Sequence, residues 1–209
     1  MEGSEGRCNT VNLEEVINQL INLRGHCENF IEPSNEFCIW KKNVKALEIA
    51  INFVKGNRIL DACCGSRMFW FDKNNEDTCY MDNRKEEFEI HGKYVNVNPD
   101  IVADFRNIPF PDSTFYLVVF DPPHLKWAGP NGIMKAQYGQ LNKNTWKDDL
   151  AKGFEECMRV LKSNGTLVFK WSDSQINVKE VLKLIPFKPL FGNQRGNTHW
   201  MVFMKDQAK

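Results

Sequence analysis

The chain has 209 residues, of which 42% are hydrophobic and 12% aromatic. That supplies enough apolar surface for one packed domain and excludes a disordered chain. Lysine plus arginine and aspartate plus glutamate number 27 each, which excludes a strongly basic protein that grips duplex nucleic acid by phosphate neutralisation alone. The cysteines form no C-x-x-C pair and no zinc-ligand spacing, so reduced, ordinary thiols are expected in a cytoplasmic protein, with no metal. No apolar run opens the chain as a signal segment, and none is long enough to span a membrane.

Residues 1–11 are polar and read as a disordered tail. Leu13, Val16, Ile17, Leu20 and Ile21 form a helical stripe over 12–23, with Asn12 and Glu15 as a capping pair. Trp40, Val44, Leu47, Ile51 and Val54 give a second amphipathic helix over 39–54. Gly56-Asn57 ends this N-terminal helical pair, 12–56. From 57 to 209 the pattern changes. Short strands are expected at 58–62, 78–82, 100–104 and 116–120. A helix follows at 145–162, with Leu150, Phe154, Cys157, Met158 and Leu161 on one face. Asn164-Gly165 is expected to turn the chain into a strand at 166–171. A helix at 177–185, an edge strand near 188–192 and a final strand at 198–205 complete the chain. Strands alternating with helices imply an α/β fold with a mainly parallel sheet covered on both faces.

In such sheets ligands sit at the carboxyl ends of the strands, near the switch in strand order. Four successive strand ends carry an acid: Asp61, Asp82, Asp104 and Asp121. A tight turn at Gly65 lets backbone approach a ligand closely. An acid after the second strand can accept hydrogen bonds from two ribose hydroxyls, and one after the third can accept from an adenine amino group.

These motifs resemble those of the class I S-adenosylmethionine-dependent methyltransferases. "ILDACCG" is similar to their first motif and "YMDNR" to their second. "ADFRNIPFPDSTFYLVVFDPP" is similar to the third and fourth, and "EECMRVLKSNGTLVF" to the stretch before the fifth strand. The resemblance covers about residues 57–205. It implies a Rossmann-like sheet of about seven strands, the last antiparallel, flanked by helices, with S-adenosyl-L-methionine as cofactor. It places Asp61, Ala62, Cys63 and Gly65 at the methionine end, Asp82 at the ribose, Asp104 with the Phe105 backbone at the adenine, and Asp121 beside the reactive methyl. Cys63 stands where the family has its first glycine, which speaks against a nicotinamide-binding G-x-G-x-x-G turn. Cys63 and Cys64 read otherwise as small packing residues.

"DPPH", 121–124, resembles the motif of enzymes that methylate exocyclic amino nitrogens of adenine or cytosine. The physical reason is direct. An aromatic amine's lone pair is delocalised into its ring and is a poor nucleophile. The Asp121 carboxylate and the Pro122 carbonyl can accept both amine hydrogens and turn the lone pair out of the ring. Pro122-Pro123 fixes φ and removes two N–H donors. The His124 imidazole could stack on the base or take a proton. Such a base must be single-stranded or flipped out.

The segment 125–144, with Gly129, Pro130, Gly132, Gly139, Trp127, Tyr138 and several lysines, reads as a lid that touches nucleic acid. Pro123, Trp127 and Lys170 are the substrate candidates. "FKW", "PLFG" and "THW" resemble pieces of small methyltransferases of phages and prophages. Two alternatives stay open. One is a methyltransferase for a small molecule or protein side chain, since the "IPFPDSTF" spacer suits it equally. The other is a non-enzymatic binding module, which the retained acids disfavour.

Overall fold

A computed structural model describes residues 56, 58–90, 92–129 and 132–206. The expected tail, 1–11, and helical pair, 12–56, lie outside the described residues, apart from Gly56. One seven-stranded sheet dominates, built from β1 (Ile59–Asp61), β2 (Thr78–Asp82), β5 (Ile101–Val102), β6 (Phe115–Phe120), β7 (Leu161–Ser172), β8 (Phe191–Arg195) and β9 (Thr198–Met204). Its order is β5-β2-β1-β6-β7-β9-β8. The pairs β5–β2, β2–β1, β1–β6 and β6–β7 are parallel, and β9 runs antiparallel to both β7 and β8. This is the Rossmann-like sheet expected, with its last strand antiparallel. The strand order reverses between β1 and β6, so their carboxyl ends open a crevice where ligands bind in such folds.

The helical half of the expected pattern is thinner than the sequence suggests. The β1–β2 link, 62–77, holds turns and bends without a helix. The β2–β5 link is a two-stranded antiparallel hairpin, β3 (Glu86–Ile90) with β4 (Lys93–Val97). Its inward faces carry Phe88, Ile90, Val95 and Val97, and β3's glutamates face out. The described helices are α1 (Ile133–Tyr138), α2 (Trp146–Val160) and α3 (Val178–Leu182).

Asn164-Gly165 does not separate helix from strand as expected. β7 begins directly after α2, because Leu161 already pairs with Phe115. The register then slips before Leu117 pairs with Thr166. Asn164 takes φ +62° inside this irregularity. Thus the turn-forming pair serves a bulge within one long strand.

α2 exists because its apolar residues fall on one stripe, and that stripe meets the aromatic face of β6, β7 and β9. Phe154 lies 5.5 Å from Phe120, 4.7 Å from Phe169 and 5.6 Å from Phe203, ring centre to ring centre. All four rings are fully buried. Gly153 is where the helix backbone comes closest to this cluster. A Cβ there would stand 2.6 Å from Phe105 Cδ2 and 2.8 Å from Phe120 Cζ. Gly153→Ala is therefore expected to destabilise the protein by about 1–3 kcal/mol through overpacking, against a helix-propensity gain of at most about 1 kcal/mol. Urea unfolding of the variant checks this. An unchanged or raised midpoint would show that the rings yield freely.

Candidate functional site

At the switch point the strand ends enclose a cavity of about 410 Å³, within the range of small-ligand sites. Its walls come from the turn after β1 (Ala62 to Ser66, then Met68 and Phe69), the end of β2 (Asp82, Asn83, Arg84), Ala103 and Phe105, Asp121 and Pro123, α1 (Gln137, Tyr138) with Gly139 and Gln140, and Lys170 of β7. Of the residues singled out in the sequence, Ala62, Cys63, Gly65, Asp82, Phe105, Asp121, Pro123 and Lys170 meet there.

Asp61 does not face the cavity. It is fully buried beneath it, and accepts from the Cys63 amide at 3.3 Å and the Trp70 indole at 2.7 Å. It shapes the turn from below. Burial pushes its carboxyl up to about 7, while those two hydrogen bonds pull it down. The sign follows from linkage. A carboxyl weaker in the folded than in the unfolded chain gives stability that is complete below the unfolded value, 3.8, and lost as pH rises through about 7. Asp61→Asn should remove this share. The stability of the variant relative to wild type is expected to improve from pH 5 to pH 8, measured by denaturant unfolding. A difference that does not change with pH would contradict the assignment.

Gly65 takes φ +48°, a region that favours glycine. Its amide donates to Asp82 Oδ2 at 2.9 Å, which ties the turn to the end of β2. Asp82 Oδ1 accepts from the Arg84 amide at 3.0 Å and from Arg84 Nε at 3.2 Å. Arg84 Nη1 also reaches Glu86 at 3.1 Å and the Ala136 carbonyl at 3.0 Å. One guanidinium thus joins the cavity acid to α1. Gly139, at φ +73°, packs over Pro123: a Cβ there would be 3.2 Å from its Cγ. Burial keeps the Cys63 and Cys64 thiols protonated, well above the usual thiol range.

Asp104 lies apart from the cavity wall, which Ala103 and Phe105 form instead. Its carboxylate is held by Arg106, with Nη2 at 2.6 Å and Nε at 3.0 and 3.1 Å. Those hydrogen bonds hold it below the usual carboxylate range. Arg106 in turn reaches Asp149 of α2 at 2.8 Å.

Asp121 ends β6 beside Lys170 of β7, because Phe120 is paired with Phe169 one residue earlier. Lys170 Nζ donates to Asp121 Oδ2 at 2.5 Å. Burial pushes the Asp121 carboxyl up, and the Lys170 charge opposes it. Pro122 is buried behind the wall. His124 is also buried, 5.4 Å from Tyr138 and 6.4 Å from Trp171, ring to ring. Burial and the nearby Lys170 charge lower its basicity, so it is a neutral packing ring here. Tyr138, not His124, presents its ring to the cavity.

Trp127 stands outside the cavity with 71% of its surface exposed. The expected lid is tied down at its base. Gln175 Oε1 accepts from the Lys126 and Trp127 amides at 2.8 and 2.9 Å, and Leu141 N donates to the Leu125 carbonyl at 2.9 Å.

Sequence reasoning missed Ser66, Phe69, Arg84, Tyr138 and Trp200. Ser66 Oγ is a buried hydroxyl with no hydrogen-bond partner among the described residues, and Ser66 lines the cavity. An unpaired buried hydroxyl is costly unless a ligand satisfies it. Among the described residues no cluster of His, Cys, Asp or Glu could hold a metal ion, and no helix is long and apolar enough to cross a membrane.

No family model matches the chain, and no curated protein matches it. Solved structures do share its fold. A protein of Pyrococcus horikoshii OT3 is 18% identical, covering 83% of this chain and 93% of its own, at a TM-score of 0.47. A SAM-dependent methyltransferase of Methanosarcina mazei is 13% identical, covering 72% and 92%, at 0.44. The antibiotic-resistance methyltransferase Kmr is 12% identical, covering 78% and 93%, at 0.45.

Proposed function

We propose that this protein transfers a methyl group from S-adenosyl-L-methionine to an exocyclic amino nitrogen of a nucleobase in DNA or RNA. The observation that carries the reading is the end of β6: a buried carboxylate, Asp121, followed by two prolines, on the wall of the switch-point cavity.

S-adenosyl-L-methionine is the expected cofactor of this fold, and the residues present fit it. Asp82 offers carboxylate oxygens to hydroxyl donors, the orphaned Ser66 hydroxyl awaits a polar partner, and Phe105 gives an apolar wall. Buried acids at the ends of β1, β2 and β6 suit a ligand with positive charge. When bound, the cofactor supplies an electrophilic methyl group. The chain's part is to prepare the acceptor. Asp121 accepts one amine hydrogen. The Pro122 carbonyl, to which no described residue donates, can accept the other. Holding both hydrogens out of the ring plane localises the nitrogen lone pair. The locked proline backbone keeps these acceptors in place, and positioning supplies much of the rate in a direct displacement. A carboxyl raised by burial is suited to receive the proton that the methylated nitrogen sheds. Phe69 and Tyr138 give a base aromatic surfaces to stack on once it is out of a duplex. The exposed rings of Phe71 and Trp127 add stacking surface for a single strand.

The test is labelled methyl transfer onto unmodified DNA, RNA and cell extract, followed by digestion to nucleosides. Label in a methylated amino-nucleoside is expected. Label confined to protein or to small molecules would reject the nucleobase acceptor.

A further inference from the structure

Lys170 raises a question that the reading above leaves open. If Asp121 is to hold an acceptor amine, why does another amine already hold it? The contact is built into the sheet. Parallel pairing of Phe120 with Phe169 sets Asp121 and Lys170 side by side at the ends of β6 and β7. Their side chains are 10% and 19% exposed, so the pair is largely screened from water but open to the cavity. Three rings surround the ammonium: Phe69 at 5.5 Å, Tyr138 at 5.7 Å and Trp200 at 5.7 Å from Nζ. They come from the turn after β1, from α1 and from β9. Each can attract a cation on its face, and together they leave Nζ little room to swing. Only Oδ2 of Asp121 is engaged, and no described residue donates to Oδ1.

The other charged groups around Asp121 act against it. Asp61 lies at the end of β1 and Asp82 at the end of β2, both close enough to interact, and Cys63 sits in the turn between those strands. Arg84 is committed to Asp82 and Glu86. His124, in Asp121's own loop, is neutral. Lys170 from β7 supplies the opposing charge. A buried carboxylate among other acids needs such a partner to stay ionised.

We propose that Lys170 is a positioning and specificity-determining residue of this site: pinned to one oxygen of Asp121, it keeps that carboxylate an anion with its second oxygen free for an acceptor hydrogen, and by its own charge it excludes acceptors that are ammonium ions. The inference rests on the nucleobase reading. It deepens it, because an exocyclic amine of adenine or cytosine is neutral, whereas a lysine side chain or a polyamine is a cation. Two like charges a few ångströms apart in a site screened from water repel strongly. A neutral aromatic amine meets no such barrier.

The experiment compares full-length wild type with Lys170→Met and Lys170→Arg. Titration with S-adenosylhomocysteine first checks that each variant is folded at the cofactor site. Lys170→Gln repeats the neutral arm if Lys170→Met does not fold. Carbon-13 NMR then follows the Asp121 carboxyl, assigned with Asp121→Asn. Its titration midpoint is expected to rise by about one unit or more in Lys170→Met and to stay near wild type in Lys170→Arg. Transfer to nucleic acid by Lys170→Met is expected to fall about 100-fold at neutral pH and to recover as pH rises, with Lys170→Arg retaining most activity. Wild type is expected to leave spermidine and poly-lysine unlabelled.

An unmoved Asp121 midpoint in Lys170→Met would overturn the positioning role. So would equal losses in the Met and Arg variants at every pH, which is the mark of a structural residue. Methylation of spermidine by wild type would overturn the specificity role. If wild type labels no nucleic acid at all, the nucleobase reading fails, and the carboxyl titration still decides whether Lys170 holds Asp121.

Discussion

Asp121→Ala is expected to abolish methyl transfer while leaving the affinity for S-adenosylhomocysteine unchanged. The alanine keeps the strand and both prolines but removes the carboxylate that turns the acceptor amine. Losing one preorganised polar contact in a buried site costs about 10²- to 10³-fold in rate. Asp121 has no bond to the turn after β1 or to Asp82, so the groups that would hold the cofactor stay in place. Lys170 loses its partner but keeps its three rings and its access to the cavity. The check is single-turnover transfer alongside calorimetry. A variant that still transfers at the wild-type rate would remove Asp121 from the chemistry. A variant that loses cofactor affinity in proportion to rate would make Asp121 a binding residue instead.

Asp82→Ala should give the opposite split. Its two oxygens receive three N–H donors, one from Gly65 and two from Arg84. Removing them frees the turn whose φ +48° glycine approaches the cavity. It also cuts the link through Arg84 to the Ala136 carbonyl. Hydrogen bonds to a charged group are worth about 1.5–3 kcal/mol each. A loss of cofactor affinity of about 10- to 100-fold corresponds to one or two of them. Calorimetry with S-adenosylhomocysteine reads this directly, and saturating cofactor should restore much of the turnover. Unaltered affinity would mean that Asp82 only braces the turn. Asp82→Asn, which keeps one accepting oxygen, is expected to fall between the two.

The ends of the strands were the most legible part of the sequence. β2 begins and ends where the pattern puts it, and Asp61, Asp82 and Asp121 all close strands of the one sheet. Buried parallel strands are short apolar runs, and an acid at the end of one stands out. The links were less legible. The β3–β4 hairpin was missed because Glu86, Glu87 and Glu89 make its outer face charged. The signal was the alternation of Phe88 and Ile90 with Val95 and Val97 across Gly92, which turns at φ +71°. Asn164-Gly165 misled because turn-forming residues also serve bulges.

Within the site, residues next to the strand ends could be named from local pattern. Phe69, Tyr138 and Trp200 could not. They reach Lys170 from a turn, a short helix and an antiparallel strand far apart in the chain. Their meeting depends on tertiary packing. His124 shows the reverse error: motif position suggested a ring facing the substrate, but packing against Trp171 and Tyr138 buried it. The pairing of Lys170 with Asp121 depends on β6 and β7 being parallel neighbours with Phe120 opposite Phe169, which no local pattern states.

The most direct test of the central claim is titration of the intact protein with S-adenosylhomocysteine by calorimetry, with Asp82→Ala in parallel. Saturable one-site binding that weakens in the variant is the expected result. No binding by the wild-type protein would contradict the claim that the switch-point cavity is a cofactor site for methyl transfer.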